Sequence, residues 1–340
     1  MQKTVTILFI WQVRKKLIKY LEEGFSHLPN IKLIFPSDLE ENTLMQYISD
    51  ADIIIGWRPS KKLLHCATKL SLFINPGAGV QTLVELFRDL NKTRSVTLVN
   101  GHGNSYFTAQ HAVAMLLALT NKIIPHHNWM LEGQWRKCDD DAISIPLRQR
   151  KIGLLGYGAV NQKVHRFLSG FDIEFGILRY DWSKQTKPLP TDAIRYNIEQ
   201  LHSFLSWTDT LIISIPLTNI THGLIRAKEL QLLGSEGLLL NLSRGSVVDE
   251  ESLYLACRDK TIMGAAIDVW YDYDPMPDEA DKKHPYNHPF HKLDNIVLSP
   301  HRAASPFDDL KRWDEVIENI TRFAAGNNNF LNEVSLDNEY

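Results

Sequence analysis

Cysteine is scarce. Cys66, Cys138 and Cys257 are odd in number and widely spaced, which argues against both a disulfide framework and a zinc site, so no metal is expected. Long apolar runs are also missing. The longest, AVAMLLAL at residues 112–119, is far short of the roughly 20 residues that a membrane span needs. The opening stretch MQKTVTILFI has no small-residue cleavage site behind its apolar run and reads as a first strand, not a leader. Charge of one sign is lacking too: 37 basic residues face 40 acidic ones, a net charge of −3. That gives no general pull toward nucleic acid or anionic lipid. There is no internal repeat and no low-complexity linker. These absences describe an ordinary globular protein of a reducing, cytoplasmic setting, with neither membrane nor nucleic acid as a partner.

What is present is rhythm. Short apolar runs recur at VTILFI (5–10), IKLIF (31–35), DIIIGW (52–57), LSLFI (70–74) and VTLVN (96–100). They resume at KIGLLG (151–156), IEFGIL (173–178), TLIISIP (210–216), LLLNLS (238–243), GAAIDVW (264–270) and NIVLSP (295–300). Helix-sized segments such as VRKKLIKYLEEGF (13–25) separate most of them. Near-continuous strands alternating with helices indicate parallel sheets covered on both faces. Eleven runs exceed what one open sheet usually holds, and 340 residues are comfortable for two domains. The expected fold class is α/β, two doubly wound parallel-sheet domains of about five and six strands. The boundary is expected near residue 103, where SYFTAQHAVAMLLALTNKI (105–123) reads as one long helix. That helix is too apolar all round to face water, so something must cover it. DYDPMPDEADKKHPYNHPFHKLD (272–294) reads as a long loop.

GLLGYGAVNQ (153–162) holds a G-x-G pair at Gly156 and Gly158, with Asn161 where a third glycine is usual. A glycine pair alone is also found in ordinary turns. Here it joins a strand to a helix (159–169) and then a second strand, a βαβ unit. Gly156 permits the tight turn, and Gly158 lets backbone N–H groups approach a pyrophosphate at the helix N-terminus. The third position serves helix–strand packing, so Asn161 is expected to hold the helix slightly further out. In NAD-using units an acidic residue roughly 20 positions on takes the ribose hydroxyls. Counted without gaps, that place is Arg179, just past the strand ending at Leu178. A guanidinium pairs with a 2′-phosphate, with Lys184 near in sequence, so NADP(H) is expected over NAD(H). A register shift onto Asp181 would restore an acidic partner and NAD.

NPGAGVQTL (75–83), GNSYFTAQHAVAMLLAL (103–119), GLLGYGAVNQ, SIPLTNITHGLI (214–225), NLSRGSVVDEESL (241–253), GAAIDVW and LSPHRAAS (298–305) together carry a further signal. In this order they make the sequence resemble the D-2-hydroxyacid dehydrogenase family over nearly its whole length. The resemblance implies a flavodoxin-like substrate domain, residues 1–103 plus 303–340, and an inserted Rossmann domain, residues 104–302. It also implies active sites in the cleft between such domains and a homodimer joined through the cofactor domains.

Residue by residue, the resemblance assigns Arg244 to hold and polarise a 2-keto acid, a task suited to a forked cation. His301 matches the acid/base histidine, whose pKa suits proton transfer near neutrality. The backbone of Ala78 and Gly79 resembles a carboxylate cradle. Asn104 and Thr108 align with residues near the nicotinamide. Ala159 and Val160 follow the glycine turn, Asp268 resembles the acceptor of the carboxamide, and Pro216 and Ser243 lie along the cofactor edge. The family's glutamate partner of the histidine is missing: its place is Tyr273, flanked by Asp272 and Asp274. Either Asp274 or the Tyr273 phenol is a candidate partner. The expected activity is hydride transfer between a nicotinamide cofactor and a small 2-keto or 2-hydroxy acid of the glyoxylate/hydroxypyruvate type. The alternatives are a formate-type dehydrogenase, because the glutamate is absent, and a catalytically silent dinucleotide-sensing protein.

Overall fold

The apolar runs form strands wherever neighbours cover both faces. The computed structural model describes residues 3–137, 140, 142–183, 185, 187–304 and 308–340. The chain divides into two units, Met1–Asn104 with Pro306–Tyr340, and Ser105–Ser305.

In the first unit β1 (Val5–Phe9), β2 (Ile31–Ile34), β3 (Ile53–Ile55), β4 (Leu72–Asn75) and β5 (Thr97–Asn100) pair in the order β2-β1-β3-β4-β5. Every pairing is parallel. This is the flavodoxin-like order, which reverses direction between β1 and β3. All residues of β1, β3 and β4 are buried, as a sheet with helices on both faces requires.

The second unit holds β6 (Lys151–Leu155), β7 (Glu174–Leu178), β8 (Ala193–Tyr196), β9 (Thr210–Ile213), β10 (Leu238–Asn241), β11 (Gly264–Ile267) and β12 (Ile296–Leu298). Their order is β12-β11-β10-β9-β6-β7-β8, again all parallel. The count is therefore five and seven, not five and six. The extra strand, β8, lies at the sheet edge with no residue fully buried, so its AIRY sequence carries no core pattern.

One face of the helix Ser105–Thr120 buries Ala109, Ala112, Met115, Leu116 and Leu119 in a core shared with Ile152, Leu154, Leu238 and Leu240. Its own unit thus covers that face. The helix ends at Thr120, not 123, because Lys122 turns left-handed at φ 52°. A second helix, Ile123–Leu131, follows with Pro125 in its first turn, where the missing N–H has no intrahelical partner to lose. None of its residues is buried. Among the described residues no helix is long and apolar enough to cross a membrane.

Candidate active site

The glycine turn leaves the carboxyl end of β6. Gly156 has φ 83°, and a Cβ there would stand 2.5 Å from Ile215 Cγ2 and 2.6 Å from the Ser214 carbonyl. Only glycine meets both demands. At Gly158 a Cβ would meet nothing within 4 Å, so the turn's outer side is open. Asn161, the first residue of the helix Asn161–Leu168, is fully buried. Its Nδ2 lies 2.7 Å from the Gly156 carbonyl and 3.3 Å from those of Leu155 and Ile212. The amide fills the place between helix and strands and ties the turn to the ends of β6 and β9.

Between turn and helix, the Val160 carbonyl accepts from the N–H groups of Lys163 and Val164. Lys163 Nζ donates to the Ala159 carbonyl at 3.1 Å and to Ser105 at 2.9 Å. Behind the turn, the Tyr157 hydroxyl lies 2.8 Å from Nδ1 of His165. Burial pushes the His165 pKa down to about 4 and that of Tyr157 up to about 12, where the Arg179 charge opposes it.

β7 ends at Leu178, so Arg179 is the first residue past the strand. Its N–H donates to Tyr196 at the end of β8 (3.1 Å), and its guanidinium donates to Gln185 (2.6 Å). Asp181 Oδ1 accepts from both the N–H and the hydroxyl of Ser183, at 2.8 and 2.6 Å. Lys184 lies outside the described residues. Past β9, the Pro216 carbonyl accepts from the Thr221 hydroxyl at 2.6 Å.

Three adjacent strands, β10, β11 and β12, carry the charged groups at their carboxyl ends. After β10, Asn241 organises the turn: its Oδ1 accepts from the N–H and hydroxyl of Ser243, and its Nδ2 donates to the Arg244 carbonyl. Arg244 is half-buried in extended backbone, with Nη1 donating to the Ser243 carbonyl at 2.7 Å. Gly245 follows because a Cβ there would stand 2.3 Å from the Trp270 carbonyl. The β10 and β11 turns are thereby pressed together.

Past β11, Asp268 is buried. Its Oδ1 accepts from the Ser299 hydroxyl and, at 2.8 Å, from the Arg302 N–H; its Oδ2 accepts from the Ala303 N–H at 3.1 Å. Burial alone would raise its pKa, but these donors, with His111, hold it below the ordinary carboxylate value. Asp268, matched by resemblance to a carboxamide acceptor, is thus already the anchor of the turn after β12.

His301 sits in that turn at φ 54°. Its pKa is pushed below the histidine norm, first by the protein packed around it and also by the Arg244 charge, while Asp268 pulls it back up. Of the two candidate partners, Tyr273 is the neighbour: its ring stands edge-on to His301 at 5.4 Å between centroids. The Tyr273 hydroxyl accepts from the Trp270 N–H at 3.3 Å, and burial raises its pKa. Asp274 is exposed, and its N–H donates to Asp272 at 2.9 Å. Among the described residues no carboxylate bonds to the His301 ring. Thr108 lies half-buried on the helix Ser105–Thr120, one turn before His111.

In the first unit, the segment after β4 turns its carbonyls inward. Buried Asn75 donates to the carbonyls of Gly77 (2.5 Å) and Gly79 (3.1 Å), and buried Asn100 to that of Ala78 (2.8 Å). The N–H groups of Ala78 and Gly79 find no acceptor among the described residues. Two successive free N–H groups make a candidate nest for an anion, in a segment where no residue of 76–80 turns left-handed. Sequence reading singled out Ala78 and Gly79 but missed the two asparagines that tie this segment down, whose signal was an Asn closing each strand before a glycine turn (NPGAG, NGHG). Trp57 packs on Trp11 and Trp313, at 5.1 and 6.5 Å between centroids, and not on Arg58. Its indole nitrogen lies 3.3 Å from where a Gly77 Cβ would stand.

Comparison with known proteins places the chain among relatives. A family model described as D-isomer specific 2-hydroxyacid dehydrogenase, NAD binding domain, matches residues 113–303. The chain is 30% identical over 271 residues to a D-3-phosphoglycerate dehydrogenase of Archaeoglobus fulgidus, covering 78% of this chain but only 47% of that protein. It is 26% identical over 303 residues to a glyoxylate reductase of Thermococcus litoralis, covering 86% of each. In fold it is similar to a D-isomer specific 2-hydroxyacid dehydrogenase from Xanthobacter autotrophicus Py2 solved with NADPH and MES, at TM-score 0.78 and 23% identity, over 99% of this chain and 100% of that one. The glycine turn, the charged strand ends and a family match spanning more than half the sequence lead to one assignment: the chain belongs to the D-isomer specific 2-hydroxyacid dehydrogenase family.

Proposed function

We propose that the protein reduces a small 2-keto acid of the glyoxylate or hydroxypyruvate type, using NADPH. The observation that carries this reading is the delivery of Arg244, Asp268 and His301 by three neighbouring strands to one edge of the seven-stranded sheet. Ligands of open parallel sheets bind at that edge.

The residues present fit a dinucleotide. Gly156 and open Gly158 admit a pyrophosphate, with the N–H groups of Ala159, Val160 and Asn161 at the helix N-terminus to meet it. Pro216, Ser243 and Thr108 are assigned to the rest of the cofactor. Such a cofactor supplies the hydride when bound. The protein's own part is binding, orientation and the proton. Arg244 forks onto the substrate's carboxylate and carbonyl oxygen, polarising the C2 carbonyl, and Ala78 and Gly79 keep the carboxylate-binding role that the family resemblance implies. His301, protonated, gives its proton to the oxygen that becomes the 2-hydroxyl. The Tyr273 ring, lying edge-on to the imidazole, orients it without adding the charge of a carboxylate. The Trp57 indole N–H beside Gly77 suits an oxygen at C3, as in hydroxypyruvate.

NADPH is favoured because Arg179 directly follows β7 while Asp181 is taken up by Ser183. Preference by ~10-fold in kcat/KM needs only ~1.4 kcal/mol. Arg179→Asp is expected to move the preference toward NADH, and equal use of both cofactors by the wild type would remove this reading. A homodimer is supported by the uncovered helix Ile123–Leu131, where Ile123, Met130 and Leu131 are exposed together with Trp135 and Ile143. A monomer mass by light scattering at micromolar concentration would count against it.

One observation favours a second reading, a formate-type oxidation: His301 bonds to no carboxylate among the described residues. A spectrophotometric panel decides. NADPH oxidation with glyoxylate or hydroxypyruvate supports the reductase, NAD reduction with formate supports the alternative, and nucleotide binding without turnover on any acid sinks both.

A further inference from the structure

We propose that His111 is a positioning residue, which through Ser299 and Asp268 holds the turn that presents His301. The inference rests on the proposed role of His301 as proton donor. His111 projects from the helix Ser105–Thr120, 188 residues away in sequence from Ser299. Its Nε2 lies 2.9 Å from the Ser299 hydroxyl and 3.5 Å from Asp268 Oδ1. The Ser299 hydroxyl donates its proton to Asp268, so its oxygen accepts from His111, which assigns the hydrogen to Nε2. Helix, β12 and β11 are joined by this one chain of hydrogen bonds.

What the chain holds is the histidine turn. Asp268 grips the peptide N–H groups of Arg302 and Ala303, the two residues after His301. Ser299 grips the other side: its N–H donates to Ile267 and its carbonyl accepts from Trp270 Nε1 at 2.8 Å. Between these grips His301 adopts φ 54°, a conformation that non-glycine residues leave unless their surroundings hold them. The groups facing His301 are Asp268, Arg244 and the Tyr273 ring. Of these only Asp268 favours the protonated ring. A donor lost from Asp268 loosens the grip, and a ring that swings away from Asp268 loses the interaction that favours its protonated form.

The experiment compares His111→Leu, which has no donor, with His111→Gln, whose amide reaches toward the Nε2 position. Steady-state kinetics with NADPH and glyoxylate are combined with NMR titration of the His301 ring. In His111→Leu, kcat is expected to fall roughly 10-fold, with KM for NADPH little changed. The His301 midpoint should move down by about half a pH unit or more. His111→Gln should restore most of both. A His301 midpoint unmoved in folded His111→Leu overturns the inference, whatever happens to kcat. If that variant does not fold, Ser299→Ala removes the middle link and must show the same downward move. Because the ring titration needs no turnover, it separates failure of this inference from failure of the reductase reading.

Discussion

At the carboxyl edge of the five-stranded sheet, the groups proposed to meet an anion are the peptide N–H groups of Ala78 and Gly79, in a segment tied down by Asn75 and Asn100. At the carboxyl edge of the seven-stranded sheet they are ionisable side chains, Arg244 and His301, organised around buried Asp268. The two constructions fail differently. A peptide donor has no charge to lose at any working pH, and no substitution at its own position deletes it except proline. An ionisable donor is stronger and can move a proton, yet each of its neighbours resets its pKa. In the proposed function, binding without chemistry falls to the first edge and chemistry to the second.

The largest effect should come from breaking the second edge. His301→Ala is expected to lower kcat by on the order of 10²–10⁴ with modest change in KM, as for a general acid. Arg244→Ala should damage both parameters, since it meets the substrate in ground and transition states. Near-native turnover by either variant, measured by NADPH oxidation, would refute its assignment.

A smaller effect should come from the first edge. Asn100→Ala removes the donor to the Ala78 carbonyl, a part-buried hydrogen bond whose loss should cost about 1 kcal/mol of stability. The nest loses its aim, so KM for the keto acid should rise by roughly 10-fold while kcat changes less. The reverse split, kcat falling at constant KM, would show that the nest acts in the transition state.

The smallest effect sharpens the contrast by pH. Reduction needs protonated His301, and its pKa is lowered. kcat/KM should therefore decline as pH rises through a midpoint below the usual ~6.5. Arg244→Gln removes one of the charges lowering that midpoint, so the His301 ring should titrate at higher pH by NMR. The nest contributes no inflection, and Asn100→Ala should leave the midpoint where it was.

How much of this was legible in the sequence depended on burial. Runs such as VTILF and TLII are buried along their whole length, so hydrophobicity alone marks them. β8 escaped because Ile194, its most apolar residue, is 47% exposed at a sheet edge. The break after Thr120 escaped because apolar residues lie on both sides of it, and Pro125 was the unread sign. Arg244 and His301 were proposed from motifs, and both lie just past strand ends. Asn161 was singled out, but its tie to the strand carbonyls was not read, because an amide donating inward looks in sequence like a glycine merely replaced. His111 and Ser299 meet across 188 residues, and spacing holds no trace of such a contact.

The buried pair behind the glycine turn bears on acid unfolding. Among the described residues His165 is the one buried histidine, clasped between the Tyr157 hydroxyl and Thr191, each at 2.8 Å. Folded, it titrates at about 4; unfolded, it takes a proton near ~6.5. The unfolded chain therefore binds more protons between those values, and stability falls as pH drops through that window, by on the order of 3 kcal/mol in all. Among its described residues the first unit holds no buried histidine. Acidification from pH 7 to 5 should lower the calorimetric melting of the nucleotide-binding unit ahead of its neighbour, and His165→Phe, which cannot take up the proton, should flatten that dependence.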